Sequence, residues 1–279
     1  MPEVIDFHKV EGLGNDFLLI DWRSRESWRA GVEQLQSQAS MICDRRRGVG
    51  GDGLLLVTPA SPGCDAAMIV INHDGSIPEM CGNGLRCVAL YLHAVSGLDA
   101  SMVLETGAGP LPCTVTPTAA RAGQVRIQMG AAHDLGERAP AAGDGRSFRA
   151  VSTGNPHAIA FVDQDEDPEA LARALGPAIE RDPLFPHRTN VEFARVEADG
   201  AITLWVWERG CGITEACGTG ACATAAAAVR AGLARAHEPL QVRLPGGWLS
   251  IEVPDDPTGS VVMTGPARLV FRGQLPIAV

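Results

Sequence analysis

Glu79-Met80-Cys81-Gly82-Asn83-Gly84 returns, little changed, as Glu215-Ala216-Cys217-Gly218-Thr219-Gly220. Each copy sets a cysteine directly before a Gly-x-Gly turn. Each turn opens an apolar, helix-prone stretch, Leu85 to Leu92 in the first copy and the alanine-rich run Ala221 to Val229 in the second. Matched cysteines at two helix starts, one in each half of the chain, imply one thiol on either side of a substrate. That arrangement removes a proton from one face of a carbon and delivers another to the opposite face.

The echo reaches beyond the cysteines. Phe7 to Asn15 is followed by Asp16 to Asp21, and Phe148 to Asn155 is followed by Pro156 to Asp163. Both read as strand, Gly-Asn turn, strand, ending in Asp. Their separation is about that of the two cysteine segments, so an internal duplication is expected. Further strands are predicted over Gly53 to Thr58, Ala66 to Asn72, Ser101 to Thr106, Val125 to Met129, Val191 to Glu197, Ala201 to Glu208 and Trp248 to Val253. Glu26 to Met41 and Pro168 to Ile179 are predicted helices in equivalent places, and Ala131 to Gly145 reads as a surface loop. The expected domains are 1–121 with the first cysteine and 122–266 with the second. A last segment, 267–279, holds a strand at Ala267 to Gly273 that returns to the first domain.

Composition narrows the function. The 279 residues suffice for two domains, and a net charge of -10 argues against nucleic acid or an anionic membrane as partner. The basic run Arg45-Arg46-Arg47 reads as a solvated face. Met1 to Val10 has acids and no apolar core, so no leader is expected, and Ala216 to Val229 is too short and Gly-rich to span a membrane. A cytoplasmic enzyme is the expectation. Eight cysteines without a C-x-x-C pair suit neither a zinc knuckle nor, in a reducing compartment, structural disulfides. Cys43, Cys64, Cys87, Cys113 and Cys222 read as small buried hydrophobes, while Cys211, close to Cys217, is left open. Lys9, the one lysine, is a poor Schiff-base candidate, so pyridoxal chemistry is not expected and no cofactor is called for. His73 and Asp74 lack a third ligand at suitable spacing, and no metal is expected. Gly48 to Gly53 mimics a dinucleotide loop without its spacing.

A cysteine belongs at a helix start for an electrostatic reason. Unpartnered N–H groups and the macrodipole favour thiolate over thiol. A substrate carboxylate lying between two such ends takes hydrogen bonds from both. As the Cα proton leaves, enolate charge develops on that carboxylate, so the donors stabilise the transition state most. One cysteine must enter as thiolate and the other as thiol.

Lys9 to Asp21, Asp44 to Gly53, Asn72 to Ser76, Met80 to Cys87, Thr153 to His157, Arg188 to Val191, Trp207 to Gly210, Ala216 to Gly220 and Gly265 to Phe271 together resemble the diaminopimelate epimerase family across essentially the whole chain. The resemblance implies an α/β (α+β) fold of two pseudo-symmetric domains, each a mixed sheet or barrel around a central helix, with the site in the cleft between them. It implies pyridoxal-independent interconversion of LL- and meso-2,6-diaminoheptanedioate, in lysine and peptidoglycan-precursor synthesis, by a homodimer. By the family pattern Cys81 and Cys217 are the acid/base pair, and His157 and Glu208 tune the thiols. Asn15, Asn72, Asn155, Asn190, Glu208 and Arg209 bind substrate, with Gly82, Asn83, Gly218 and Thr219 supplying the amides after each cysteine. One departure stands out: Gly53 takes a position where some members carry glutamine.

Plainer readings exist for each of these residues. Asn15 beside a glycine is also a turn residue, His157 also a core histidine, and Glu208-Arg209 also an exposed ion pair. Two rival functions remain at this stage. One is a two-cysteine racemase of the proline or hydroxyproline type. The other is a thiol-based redox or small-ligand-binding protein in which Cys81 and Cys217 form a regulatory disulfide.

Overall fold

The Gly-Asn turn expected after Gly12 closes the first hairpin, with Leu13 and Gly14 both at positive φ (57° and 79°). β1 (Glu3–Gly12) thereby pairs antiparallel with β2 (Asn15–Asp21). A computed structural model describes residues 3–277, which form two units. Unit 1 runs to Ile127 and resumes at Gly265, and unit 2 is Gln128–Thr264.

In unit 1, α1 (Trp28–Ile42) follows the hairpin and leads into β3 (Gly53–Thr58), parallel to β2. β4 (Ala66–Asn72) then pairs antiparallel with β3. α2 (Gly82–Ala94) comes next, followed by β5 (Ser101–Thr106), β6 (Gly109–Ala119) and β7 (Ala122–Gln128). Leu35, Ala39 and Ile42 of α1 pack on Leu18, Ile20, Leu54 and Leu56 of the sheet, the side-chain spacings of one helix stripe and one strand face.

Unit 2 repeats the connectivity. β8 (His133–Arg138) pairs with β9 (Phe148–Ser152), which turns through Gly154 into β10 (Pro156–Phe161). α3 (Pro168–Ile179) precedes β11 (Asn190–Val196), parallel to β10, and β12 (Ile202–Glu208) pairs antiparallel with β11. The two-residue β13 (Gly212–Ile213) leads to α4 (Gly218–Arg230), β14 (Leu240–Leu244) and β15 (Gly247–Glu252). The antiparallel, parallel, antiparallel, parallel, antiparallel order of β1 to β5 and β6 recurs through β9, β10, β11, β12, β14 and β15.

β16 (Val262–Ile277) pairs antiparallel with β15 through Val262 to Thr264, then with β1 from Arg268 onward. That second pairing closes unit 1 as an eight-stranded barrel. α2 packs against β1 to β6 and is buried from Gly82 to Leu92, as α4 is from Gly218 to Ala228. Such helices are largely apolar on every side because strands surround them. Alanine dominates α4, and small side chains let the strands come close. The duplicated mixed fold with a helix inside each unit is therefore as expected.

Four strands depart from the sequence reading, the two-residue β13 among them. β8 lies inside the stretch read as a loop. It is polar, bulged between Asp134 and Glu137, and carries Gly136 at φ 80°, so no alternation marks it. β6 holds three prolines that read as breakers, yet it buries every second residue, Leu111, Cys113 and Val115. β14 was not predicted, being only five residues long.

Candidate active site

Cys81 is the N-cap of α2, in extended backbone, and its Sγ accepts the Gly84 N–H at 3.4 Å. This is the capping geometry of serine or aspartate, met here by sulfur. Around it unit 1 builds a polar chain. Asn83 Nδ2 donates to Asn15 Oδ1 at 3.1 Å, and Asn15 Nδ2 donates to Asp52 Oδ2 at 2.6 Å. Asp52 in turn binds Arg45, which also pairs with Asp16 at 2.5 Å. Lys9 is buried on Asp16 and the Gly50 carbonyl, so the one lysine is a structural group. At the other end of the chain, Arg86 is fully buried. It donates to Asn83 Oδ1 and the Pro266 carbonyl, both at 3.0 Å. Asn72 reaches Ser76 Oγ at 2.9 Å, and Asp74 binds the same serine, making this segment a closed turn.

Gly53, the departure from the family pattern, sits in β3 opposite Asn72, where an added Cβ would stand 2.5 Å from the Ile71 carbonyl oxygen. No side chain fits there without moving β4, so the missing amide is built into the strand pairing.

In unit 2, Cys217 caps α4 in the same extended conformation but is buried. Its Sγ lies 3.6 Å from Thr219 Oγ1. Asn155 Nδ2 donates to Thr219 Oγ1 at 3.2 Å, and Asn155 Oδ1 meets His157 Nε2 at 3.0 Å. His157 Nδ1 meets Glu192 Oε1 at 2.6 Å, and both of these side chains are 0% exposed. Glu208 binds Thr214 and is also hydrogen-bonded to Cys217. Asn190 ties strand ends together, donating to the Pro156 carbonyl and accepting the Arg209 N–H, both at 2.9 Å. The exposed Arg209 guanidinium rests on the His187 carbonyl at 3.3 Å. Glu208 and Arg209 thus turn to different partners.

The sequence reading expected both helix starts to favour thiolate. Cys217 differs: burial, with the Glu208 and Glu192 carboxylates, pushes its thiol well above the ordinary value, against the pull of Thr219 and the Gly220 N–H. Burial likewise raises Glu208 and Glu192. Desolvation outweighs the helix end because Cys217 sits inside unit 2, whereas Cys81 stands half-buried.

Four other cysteines behave as core. Burial pushes Cys43 up to about 11, Cys113 up to about 12 and Cys87 higher still, and Cys222 is buried too. Cys64 departs from expectation by lying half-exposed in a turn, and Cys211 is exposed. Unfolded thiols ionise near pH 8.5, so stability is fully present below that value and is lost as pH rises toward the raised folded values. Cys43, Cys87, Cys113 and Cys217 should each remove about 1.4 kcal/mol of stability per pH unit in that window. Urea midpoints measured from pH 7 to 10.5 should fall steeply above pH 9, and a flat profile would contradict these burials.

Sequence reasoning missed Asp52, Arg86, Thr214 and Glu192. A signal existed for Glu192, a charged residue two positions from Asn190 on the same face of β11 and flanked by the apolar Val191 and Phe193. Among the described residues no three His, Cys, Asp or Glu side chains gather to hold a metal.

Comparison with known proteins bears on this geometry. The sequence model of the family described as Diaminopimelate epimerase matches residues 7–134 and 149–270. A Desulfitobacterium hafniense protein named diaminopimelate epimerase is 44% identical, covering 96% of each chain. A Synechococcus elongatus protein of the same name is 42% identical, covering 98% of this chain and 99% of its own. Among solved structures, a probable proline racemase from Agrobacterium radiobacter K84 superposes with a TM-score of 0.76 at 19% identity, over 98% of this chain and 93% of that one.

Proposed function

The chain belongs to the diaminopimelate epimerase family and is an isomerase, and from that membership we propose that Cys81 and Cys217 exchange a Cα proton of 2,6-diaminoheptanedioate, interconverting its LL and meso forms. The observation that carries this reading is the matched capping position of the two cysteines. Each stands in extended backbone at the first turn of the buried helix of its unit.

The two thiols start unequal, which a two-base reaction requires. Cys217, held protonated by burial and by Glu208 and Glu192, is the acid of the opening turnover. Cys81, with the Gly84 N–H on its sulfur and the positive end of α2 beside it, is the base. Its thiolate takes the Cα proton from one face while the Cys217 S–H gives one to the other. The product leaves with the roles exchanged, so the reverse reaction starts from the other protonation state. N–H groups of the first turns of α2 and α4, around Gly82, Asn83, Gly218 and Thr219, hold the carboxylate on which charge develops. Asn15, Asn72, Asn155, Asn190 and Glu208 fix the polar groups at the reacting end, and Arg209 takes the distal carboxylate as a planar fork.

On this reading the enzyme needs no pyridoxal, works as a homodimer and resides in the cytoplasm. No helix among the described residues is long and apolar enough to cross a membrane. The test is stereochemical. In heavy water, without added cofactor, the reduced protein should place deuterium at Cα of LL-diaminopimelate while forming the meso isomer, and leave L-proline untouched. Absence of exchange into diaminopimelate overturns the proposal, and exchange into proline instead would favour the racemase reading.

A further inference from the structure

In the mechanism above Glu192 only opposes ionisation of Cys217, and its buried pairing with His157 is given no task. Val191 and Phe193 of β11 pack into the core with α3, so Glu192, between them, faces the opposite side. There it meets the first turn of α4, where a Cβ on Gly220 would stand 3.0 Å from Glu192 Oε1. A side chain at that position would press on the carboxyl. Oε2 completes no hydrogen bond, although the Ala158 N–H acts on the carboxyl. A bare carboxylate oxygen in such a place is costly, and a neutral one much less so.

The hydrogen bonds outward from this pair have forced directions. Asn155 Nδ2 can only donate, and it faces Thr219 Oγ1 at 3.2 Å. Asn155 Oδ1 can only accept, and it takes the Thr153 hydroxyl at 3.2 Å and His157 Nε2 at 3.0 Å. Nε2 must therefore carry a proton. Nδ1 and Glu192 Oε1, 2.6 Å apart, share one more. It resides on Nδ1 as an ion pair or on Oε1 as a neutral pair, and the net charge is zero in both cases. With the Cys217 S–H turned to Glu208, Thr219 Oγ1 accepts from Asn155 and has its own hydrogen to give to Cys217 Sγ, 3.6 Å away.

We propose that Glu192 is a positioning residue for the epimerase reaction, sharing a buried proton with His157 and so orienting the chain His157, Asn155, Thr219 to end in an O–H donor on Cys217 Sγ. The inference rests on the proposed two-thiol function, since its purpose is to stabilise the Cys217 thiolate left once the proton has been given. Burial holds the Glu192 carboxyl toward its neutral form, which fits a shared proton. The titratable groups that act on it are His157 from β10, Glu208 from β12 and Cys217 from α4. Because the pair carries zero net charge, the opposition of the Glu192 carboxylate to that thiolate is offset by the imidazolium when the proton sits on Nδ1 and absent when it sits on Oε1.

Glu192→Leu and Glu192→Gln separate this role from plain packing. Leucine removes the partner of Nδ1 and frees the ring, whereas glutamine can donate to Nδ1 and keep Nε2–H in place. For Glu192→Leu we expect kcat to fall about tenfold or more with KM within about twofold, and the alkaline limb of the kcat profile to move up by about one pH unit. Glu192→Gln should recover most of both changes. Nitrogen-15 NMR of the histidines, which needs no turnover, should show His157 Nε2 protonated in all three proteins, with Nδ1 hydrogen-bonded in the wild type and in Glu192→Gln but a bare imine nitrogen in Glu192→Leu. A folded Glu192→Leu protein with wild-type His157 shifts and an unmoved pH profile overturns the inference. So does a Glu192→Gln protein that behaves like the leucine variant. A wild-type protein that exchanges no Cα proton refutes the proposed function instead, and the NMR comparison still decides where the shared proton lies.

Discussion

Alanine in place of Cys217 should lower the rate of epimerisation by about 10³-fold or more, and alanine at Cys81 should do the same, the scale expected when a positioned proton donor or acceptor is lost. The two variants differ in what survives. With Cys81 present and Cys217 gone, a base still meets one face of the carbon, so residual exchange of that stereoisomer with heavy water should outrun inversion. The mirror situation holds for Cys81→Ala, with the opposite stereoisomer. Chiral chromatography with mass detection of the Cα deuteron, run from each pure isomer, reads both quantities. Inversion near the wild-type rate in either variant would end the two-base account. Folding is a lesser concern at Cys81, which is half-buried, than at Cys217, which is enclosed. Serine replacements, nearly the same size, keep the test open if Cys217→Ala is unstable.

Arg86→Met should be the most destabilising substitution in unit 1, lowering unfolding free energy by about 3 kcal/mol or more. The guanidinium lies wholly inside the unit and donates to Asn83 Oδ1 and the Pro266 carbonyl. Methionine fills much of the volume but leaves both acceptors buried without that donor. The first is part of the chain that sets Asn15, and the second lies at the strand that closes the barrel. Urea unfolding should show the loss directly. KM for diaminopimelate should rise as well, because Asn83 loses the bond that fixes its amide. A variant within about 0.5 kcal/mol of wild type would mean that Arg86 is dispensable.

Much of the fold was legible because local chemistry and tertiary need agree. β3, β4, β5 and α3 coincide with the predicted segments. α3 also carries its own start signal, Asp167 accepting the Glu169 N–H at 2.9 Å with Pro168 at the first helical position. β6 and β8 were illegible for the converse reason. Prolines interrupt the first, and a bulge with polar side chains hides the second. The candidate site divides along the same line. Its cysteines, Asn15, Asn83, Asn155 and His157 stand beside glycines or prolines in motifs that a reader can match. Asp52 and Glu192 act through partners 37 and 35 positions away, a distance at which sequence carries no geometry. The state of Cys217 was missed because a helix start is local, whereas the burial and the two carboxylates that oppose it are assembled by β11 and β12.

The closure of the first barrel by β16 has a consequence in time. During synthesis the ribosome must make all of unit 2 before the strand that pairs with β1 exists. At a typical elongation rate of about 5–20 residues per second, β1 waits a few tens of seconds, roughly 13 to 50, with its edge uncovered. Unit 2 lacks that handicap, since Gln128–Thr264 is one continuous stretch. The second half of the chain is thus free to finish first, and the older half ripens last.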